Sequence, residues 1–246
     1  MFKFRDLTVI DVTPEHRLVI ACDSAAGIGE KEMDLIKASP ELTGRLTAQV
    51  GLMEVVAVGA KPISIINALG VEMEDTGKRI IEGIKEAIKP LNLDEEVVIT
   101  GSTEENIPVV QTSMGITVVG LIEKKDWRCN KPIKGDYAVV VGIPKVGNEV
   151  LEAKENEIIS LETILELSKK EYVKDILPVG SKGIAYELGI MSHTNDLEYE
   201  IFDNINLDLH RTAGLATCAI IAIDKDGFDN LKKTIPNPIN LIATFI

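Results

Sequence analysis

The stretch Gly44–Val71 restricts the possible fold more than any other part of the chain. Small and apolar residues at helical spacing predict a helix over Gly44–Val58, which ends at Gly59 with Pro62 shortly after. A β-rich run, Ile63–Val71, follows and predicts a strand. The many small side chains of the helix suit close packing against a sheet, so we expect helices layered on a sheet.

The rest of the chain continues this mixture in two halves of similar size. Glu123–Lys134 is charged and contains Pro132, which makes it the best candidate for a domain boundary. We therefore expect an α+β protein of two layered domains, residues 1–125 and 126–246. The other predicted strands are Phe4–Val12, Arg17–Asp23, Val97–Thr100, Ser113–Ile122, Asp136–Gly142, Tyr199–Phe202 and Cys218–Ile223, and the other predicted helices are Gly77–Ile88, Glu149–Ala153, Leu161–Lys169, Gly183–Met191 and Phe228–Lys232.

Composition argues against several classes of function. The 246 residues include 26 Lys and Arg against 39 Asp and Glu, a formal net charge of -13, with no basic cluster that could neutralise several phosphates. We therefore expect no nucleic-acid binding. The apolar runs are of strand length, well short of the roughly 20 residues of a membrane span, and the first residues do not resemble a signal peptide. These features predict a soluble, cytoplasmic protein that does not bind a membrane.

The cysteines and histidines do not have the spacing of a transition-metal site. Cys22, Cys129 and Cys218 lie far apart without a CxxC pair, and the histidines show no HxxxH or HxxE pattern. We interpret the three cysteines as small core or near-core residues.

Several carboxylates stand where predicted strands and helices begin or end, namely Asp6, Asp23, Glu54, Glu104 and Glu105. The chain lacks a GxxxxGK[ST] phosphate loop, and Gly27-Ile28-Gly29 lacks the third glycine of a dinucleotide fold. Scattered carboxylates suit Mg²⁺ held against a nucleotide, because Mg²⁺ prefers oxygen ligands and shares its shell with phosphate oxygens. Most acids of this chain are expected on the solvated surface. Asp23 and Glu54 differ, because Asp23 ends an apolar run and Glu54 has apolar neighbours.

The run Val98–Asn106, VITGSTEEN, predicts a buried strand that ends in a tight polar loop. Gly101 lacks a Cβ and can let the backbone approach a phosphate, while Ser102 and Thr103 offer hydroxyls and amides. Glu104 or Glu105 could complete a magnesium shell. A purely structural interpretation stays open, in which the glycine only permits a turn that the hydroxyls cap.

Three stretches resemble, in order, the N-terminal domain of the aminoimidazole-ribonucleotide (AIR) synthetase superfamily. They are similar to an acid-x-x-Ala-x-Gly-Ala-x-Pro helix end, a Gly-Gly-Asp-Thr loop and an Ile-Thr-Val-x-Gly strand, and they are Glu54–Pro62, Thr100–Thr103 and Ile116–Gly120. The resemblance extends to both ends of the chain through Arg5-Asp6, Val19–Asp23, Gly135-Asp136, Gly183–Leu188 and Ala213–Ala219.

This resemblance implies a PurM-like architecture, with an N-terminal mixed sheet and helices, a C-terminal α+β domain, and a homodimer formed through the N-terminal strands. It implies that Mg-ATP binds in a cleft, with metal ligands Asp6, Asp23, Glu54 and Glu104. The phosphates would lie near Gly101, Ser102 and Thr103, with Lys182 as a further cofactor contact and Asp23 or Glu105 as the proton acceptor. The chain departs from the family at Glu54 and Ser102, where Asp is usual, and at Val179–Gly183, where two acids are missing and Lys182 appears.

Within the superfamily, the Thr-Gly-Ser-Thr-Glu-Glu-Asn run and Ala213–Cys218 most resemble the compact α-ribazole kinases. The implied function is ATP-dependent phosphorylation of the ribose 5′-hydroxyl of α-ribazole, a small molecule of cobamide salvage. The alternatives are an enzyme like thiamine-phosphate kinase, an enzyme like AIR synthetase, and a nucleotide-binding regulatory protein without turnover.

Overall fold

The computed structural model describes residues 1–128 and 131–246. They form two compact units, the first comprising Met1–Val55 and Ala60–Lys125, the second Val56–Gly59 and Asp126–Ile246. The mixed α+β character expected from the sequence is confirmed in each unit. No helix in the described part of the chain is long and apolar enough to cross a membrane.

The first half of the chain contains eight strands and three α-helices among its described residues. In chain order they are β1 Phe2–Phe4, β2 Leu7–Asp11, β3 His16–Ala26, β4 Ile28–Gly29, β5 Ile36–Lys37, α1 Pro40–Ala57, β6 Lys61–Leu69, α2 Lys78–Ile88, α3 Glu95–Val98, β7 Ile99–Thr103 and β8 Ser113–Glu123. Six strands form one sheet in the order β1-β2-β3-β8-β6-β7, with only β6 and β7 parallel neighbours. A short turn, Met73–Gly77, precedes α2, and its backbone is extended at Glu74.

Alternating burial along the central strand β8 shows that the two faces of this sheet differ. Met114, Ile116, Val118 and Ile122 are buried, whereas the residues between them are half-exposed. Helix α1 covers the buried face closely, because a Cβ added to Gly51 would lie 3.0 Å from Cγ2 of Val118. The sheet therefore has one face under helices and one open face, as its period-2 pattern requires.

The small residues of α1 also allow close packing against α2. A Cβ on Gly44 would lie 2.2 Å from the Ile80 carbonyl oxygen, and one on Gly83 would lie 1.9 Å from the Glu41 carbonyl oxygen. The apolar face of α2 includes the buried side chains of Ile80, Ile84 and Ile88, which confirms the helical period of that segment.

The second unit contains a five-stranded antiparallel sheet in the order β10-β12-β9-β13-β11. Its elements are β9 Tyr137–Gly142, α4 Asn148–Leu151, α5 Leu161–Leu167, β10 Val173–Pro178, α6 Ile184–Thr194, β11 Tyr199–Ile201, β12 Cys218–Ile223, α7 Gly227–Thr234 and β13 Ile239–Phe245. Every residue of β12 is buried, and α6 adds Ile184, Leu188 and Met191 to the core.

Three sequence expectations need correction. The predicted strand Phe4–Val12 is a tight hairpin of β1 and β2 around Arg5-Asp6, and the predicted strand Val97–Thr100 begins inside α3. The sequence did not predict strands β10 and β13. Cys22 is exposed, with its Sγ 3.3 Å from Oγ1 of Thr117, whereas Cys218 is buried as expected. Cys129 lies outside the described residues.

Candidate active site

The carboxyl ends of β3, β6 and β7 meet at one end of the first unit's sheet. Strand β8 runs antiparallel to β3 and β6, and β7 runs parallel to β6, so the three strands point the same way. The segments that follow these strands, together with the start of α1 and α2, form what we call the acidic end, residues 27–41, 72–79 and 102–112. Ends of parallel strands are a common position for ligand sites in α/β proteins.

Asp23 belongs to a row of residues that crosses four strands near this end. Asp23 pairs with Ile116, Ile116 with Asn67, and Asn67 with Gly101. Paired residues share a face, so the Asp23 and Asn67 side chains lie on the helix-covered face, separated by two strand spacings of about 4.8 Å each. Asp23 lies three residues before the end of β3, not at its end as the sequence suggested.

The position of Asp23 changes its acidity. Burial raises the pKa of the Asp23 carboxyl from 3.8 to about 6, although a hydrogen bond from the Ser24 backbone opposes the rise. A half-buried carboxylate whose pKa lies close to neutrality suits a proton acceptor, because it is deprotonated near pH 7 yet basic enough to take a proton.

Gly101, Ser102 and Thr103 lie in the edge strand β7, so the predicted polar loop does not begin until Glu104. A Cβ on Gly101 would lie 2.2 Å from Oδ1 and 2.3 Å from the carbonyl oxygen of Asn67. The Asn67 Nδ2 donates to the Thr100 carbonyl at 3.0 Å. The close approach that requires glycine here is therefore the approach of Asn67 between neighbouring strands.

Glu104 and Glu105 both brace the loop after β7. One carboxylate oxygen of Glu104 accepts from the backbone N–H groups of Asn106 at 2.8 Å and Ile107 at 3.2 Å, and these bonds lower the pKa of Glu104. The Glu105 Oε1 accepts from the Met73 N–H and from the Thr103 hydroxyl, both at 2.8 Å. Glu105 thus joins β7 to the segment after β6, a structural task that its assignment as a proton acceptor did not foresee.

Lys31 is a candidate site residue that the sequence reasoning missed. Its Nζ donates to Glu72 Oε2 at 2.7 Å, which places a cation beside the segment that follows β6. The buried Asp34 accepts from the Lys31 N–H at 2.9 Å and from the N–H and hydroxyl of Thr112, both at 2.7 Å. The available signal is the run Gly27-Ile28-Gly29-Glu30-Lys31, a glycine-containing loop that lacks the third glycine of a dinucleotide motif but carries a lysine.

Arg79 connects the Lys31 segment to both helices. Its guanidinium makes two hydrogen bonds to Glu30, at 2.6 and 3.0 Å, and two to Glu41, at 2.7 and 2.9 Å. These bonds lower the pKa values of both carboxyls and raise the pKa of Arg79. Two bidentate contacts fix the geometry strongly, since each constrains the plane of the guanidinium.

The remaining predicted residues are dispersed. Asp6 is exposed in the hairpin turn, at the end of the β2–β3 pair that leads toward Asp23. Glu54 lies on α1 beside Val55, whose side chain faces Gly120 of β8. Gly120 is four residues, about 13 Å, along β8 from Ile116, the β8 member of the Asp23 row. Lys182 lies in the second unit, where its Nζ donates to the Tyr186 hydroxyl at 3.0 Å and sits 4.2 Å from the ring centre.

The acidic end carries nine carboxylates and four cationic side chains. Asp23 adds a further carboxylate close to it. In residues 1–128 and 131–246 no three His, Cys, Asp or Glu side chains converge as a ready metal site, so the four predicted ligands do not form one cluster. This donor set nevertheless fits Mg²⁺ that arrives with a nucleotide, because Mg²⁺ usually takes one or two carboxylates, several waters and the substrate's phosphates.

Comparisons with known proteins agree with this architecture. Residues 4–122 match the sequence model of the family described as AIR synthase related protein, N-terminal domain. No curated protein gives a sequence match.

Three solved structures resemble the chain in fold at low sequence identity. Thiamine monophosphate kinase from Aquifex aeolicus aligns with a TM-score of 0.66 and 16% identity, over 99% of this chain and 89% of that one. HypE, a hydrogenase maturation protein of Escherichia coli, gives 0.68 and 15%, over 94% and 79%. PurL of T. maritima, complexed with ADP, gives 0.66 and 14%, over 98% and 42%. The chain therefore has the two-domain, PurM-like α+β fold.

Proposed function

We propose that this protein binds Mg-ATP at the acidic end of the first unit and transfers the γ-phosphoryl group to a hydroxyl of a small molecule. The observation that carries the proposal is Asp23, a half-buried carboxylate with a pKa of about 6, in the same sheet row as Asn67 and Gly101. The match of residues 4–122 to an AIR-synthase-related domain supports it. So does the shared fold of a protein whose structure holds ADP.

Each group has a distinct task in this proposal. Asp23 accepts the proton of the attacking hydroxyl, which makes the oxygen a better nucleophile. Lys31 supplies positive charge to the phosphates, and the Ser102 hydroxyl together with the backbone of Ser102 and Thr103 holds their oxygens. A bound Mg²⁺ would supply charge neutralisation to the phosphates, with Asp6 and Glu104 as the carboxylates available to hold it while Asp23 stays free to accept the proton.

The excess of carboxylates at this end explains why a divalent cation belongs to the proposal. A triphosphate brought alone to nine carboxylates and four cations would meet like charge, and Mg²⁺ removes that repulsion. Glu54 and Lys182 stay predictions as ligands, because Glu54 lies beside Val55, which faces Gly120 about 13 Å along β8 from Ile116, and Lys182 lies in the second unit.

We propose α-ribazole as the acceptor, on the resemblance of the Thr-Gly-Ser-Thr-Glu-Glu-Asn run to the α-ribazole kinases. Thiamine monophosphate is the second candidate, since a thiamine monophosphate kinase shares this fold over 89% of its length. An acceptor that already carries a phosphate needs a cationic subsite, and Arg79 at the acidic end is occupied by two carboxylates. This charge balance favours the uncharged riboside.

We further propose that the protein is a homodimer formed through the open face of the first unit's sheet. That face carries the partly exposed apolar side chains of Leu18, Ile20, Ile66, Val119 and Leu121. A contiguous apolar sheet face usually marks an interface. Light scattering of the purified protein should give twice the mass of the chain, and a monomer at micromolar concentration would contradict this part of the proposal.

The test of the reaction is an acceptor panel. Purified protein is incubated with Mg-ATP and α-ribazole, thiamine monophosphate or formylglycinamidine ribonucleotide, and ADP and the phosphorylated products are measured. We expect equal amounts of ADP and phosphoribazole with α-ribazole alone. Nucleotide binding without turnover on any acceptor would instead favour a regulatory protein.

A further inference from the structure

The ion pair between Lys31 and Glu72 is enclosed more than a surface pair. The two charged atoms are 2.7 Å apart, and only 17% of the Lys31 side chain and 34% of the Glu72 side chain are exposed. Exposed pairs contribute little because water competes for both charges, and partial burial removes part of that competition. The pair is therefore a persistent contact of the Lys31 ammonium.

Both partners are held in place by further hydrogen bonds. The Thr76 hydroxyl donates to the second carboxylate oxygen of Glu72 at 2.5 Å. Burial raises the pKa of Glu72, but the bonds from Lys31 and Thr76 outweigh it and bring the pKa to about 2. The Lys31 backbone is held on both sides, by Asp34 at its N–H and by the Lys37 ammonium at its carbonyl, 2.6 Å away.

This arrangement has a consequence for any phosphate that approaches Lys31. One N–H of the ammonium already points to Glu72, and the Glu72 carboxylate stays ionised at every working pH. A phosphate oxygen that shares the ammonium must lie close to that carboxylate, and the two like charges repel each other. A divalent cation on the phosphates removes most of this repulsion, so metal-free nucleotides are disfavoured more than their magnesium complexes.

We propose that Glu72 restrains Lys31 and thereby selects metal-bound over metal-free nucleotide at the acidic end. The inference rests on the proposed nucleotide binding and adds a specificity-determining residue to it. Glu72 acts through Lys31, so its removal should strengthen the binding of metal-free polyphosphate. A merely structural Glu72 would show the opposite effect or none.

The test measures ADP binding by calorimetry in EDTA, with Glu72→Gln as the principal variant. Loss of the repulsion should tighten metal-free ADP binding roughly 5- to 10-fold. Glu82→Gln is the matched control, because Glu82 is exposed, pairs with Lys85 and lies outside the acidic end. It removes the same charge without touching Lys31, and it should change the affinity less than about twofold.

A double-mutant cycle assigns the effect to Lys31. Lys31→Met should weaken ADP binding, and adding Glu72→Gln to that variant should restore nothing. Repeating the measurement with Mg²⁺ should shrink the advantage of Glu72→Gln over the wild type. Thermal unfolding checks that each variant is folded, and Glu72→Asp, which withdraws the carboxylate from Lys31, should give an intermediate gain if Glu72→Gln does not fold.

Two failures can be told apart in this experiment. Wild-type protein that binds no ADP under either condition would overturn both the proposed function and this inference. Wild-type protein that binds ADP, with Glu72→Gln no tighter than Glu82→Gln, would overturn only the restraint by Glu72.

Discussion

Asp23, the proposed proton acceptor, illustrates at the residue scale how the burial of a carboxyl can reduce stability. Its folded pKa of about 6 lies above its ordinary 3.8, so the folded state holds this proton more tightly than the unfolded state. The contribution of Asp23 to the free energy of unfolding therefore falls as the pH rises from about 4 to about 6 and stays low above that. The shift corresponds to a cost of about 3 kcal/mol at neutral pH.

Asp23→Asn should consequently stabilise the protein at pH 8, by up to about 3 kcal/mol. The gain should disappear near pH 4, where the wild-type carboxyl is already protonated in both states. Urea unfolding of both proteins at the two pH values measures this difference. A loss of stability at pH 8 would mean that ionised Asp23 makes bonds that stabilise the fold.

Gly101 provides a second residue-scale prediction. Gly101→Ala places a methyl group 2.2 Å from the Asn67 Oδ1, so Asn67 must move and its bond to Thr100 weakens. We expect a loss of about 1 to 3 kcal/mol in the free energy of unfolding.

Gly115→Ala is the matched control for Gly101, because its added Cβ meets only the Ala68 carbonyl oxygen, at 4.0 Å. This variant should be neutral or stabilised by about 0.5 kcal/mol. Equal stabilities of the two variants, measured by urea unfolding, would show that Asn67 adapts freely.

Residue chemistry at the site could be predicted from sequence only in part. The partial burial of Asp23 could be anticipated, because an acid at the end of an apolar run is rare and requires a reason. Lys31 and Arg79 were not identifiable, because their partners Glu72 and Glu30 lie 41 and 49 residues away along the chain. A lysine or arginine in a charged segment looks like solvated surface until the fold brings its partner close.

At the scale of elements, the close packing of α1 against α2 can be tested by substitution. Gly83→Ala should destabilise the first unit by about 1 to 3 kcal/mol, since the methyl group would overlap the Glu41 carbonyl. It would also push α1 away from Arg79, which should increase hydrogen exchange in residues 27–37.

Gly189→Ala is the control for Gly83. It lies in α6, where the added Cβ would meet only the Tyr199 hydroxyl at 3.9 Å, and it should stabilise by about 0.5 to 1 kcal/mol. Thermal unfolding and hydrogen exchange measure both variants. A Gly83 variant as stable as the wild type would contradict the close crossing of the two helices.

Elements with a clear period were predictable, whereas short or uniformly apolar ones were not. The amphipathic face of α2 fixed that helix from sequence, and β12 was found as an apolar run bounded by polar residues. The boundary between α3 and β7 could not be read from strand propensity. Val97 and Val98 favour strands, yet they are the last two residues of a helical turn capped by Asp94. The Asp94 carboxylate accepts from the Glu96 N–H, and this local cap outweighs the β preference.

The whole molecule combines a strongly acidic sequence with a proposed anionic ligand. A formal charge of -13 repels free nucleotides at long range, and the acidic end repeats this excess locally. Both features favour ATP accompanied by a divalent cation, as proposed. The scattered carboxylates of the sequence led to this proposal, but they did not predict that Glu104 and Glu105 would also brace the loop.

The central claim is that Asp23 accepts the proton in a phosphoryl transfer from Mg-ATP. The most direct measurement is ADP and phosphoribazole formation by wild type and Asp23→Asn at pH 5 to 8, with folding verified by urea unfolding. We predict wild-type turnover that rises with pH around 6, and a loss of at least about 100-fold in the folded variant. Comparable turnover by the variant, or no turnover by the wild type with any acceptor, would contradict the claim.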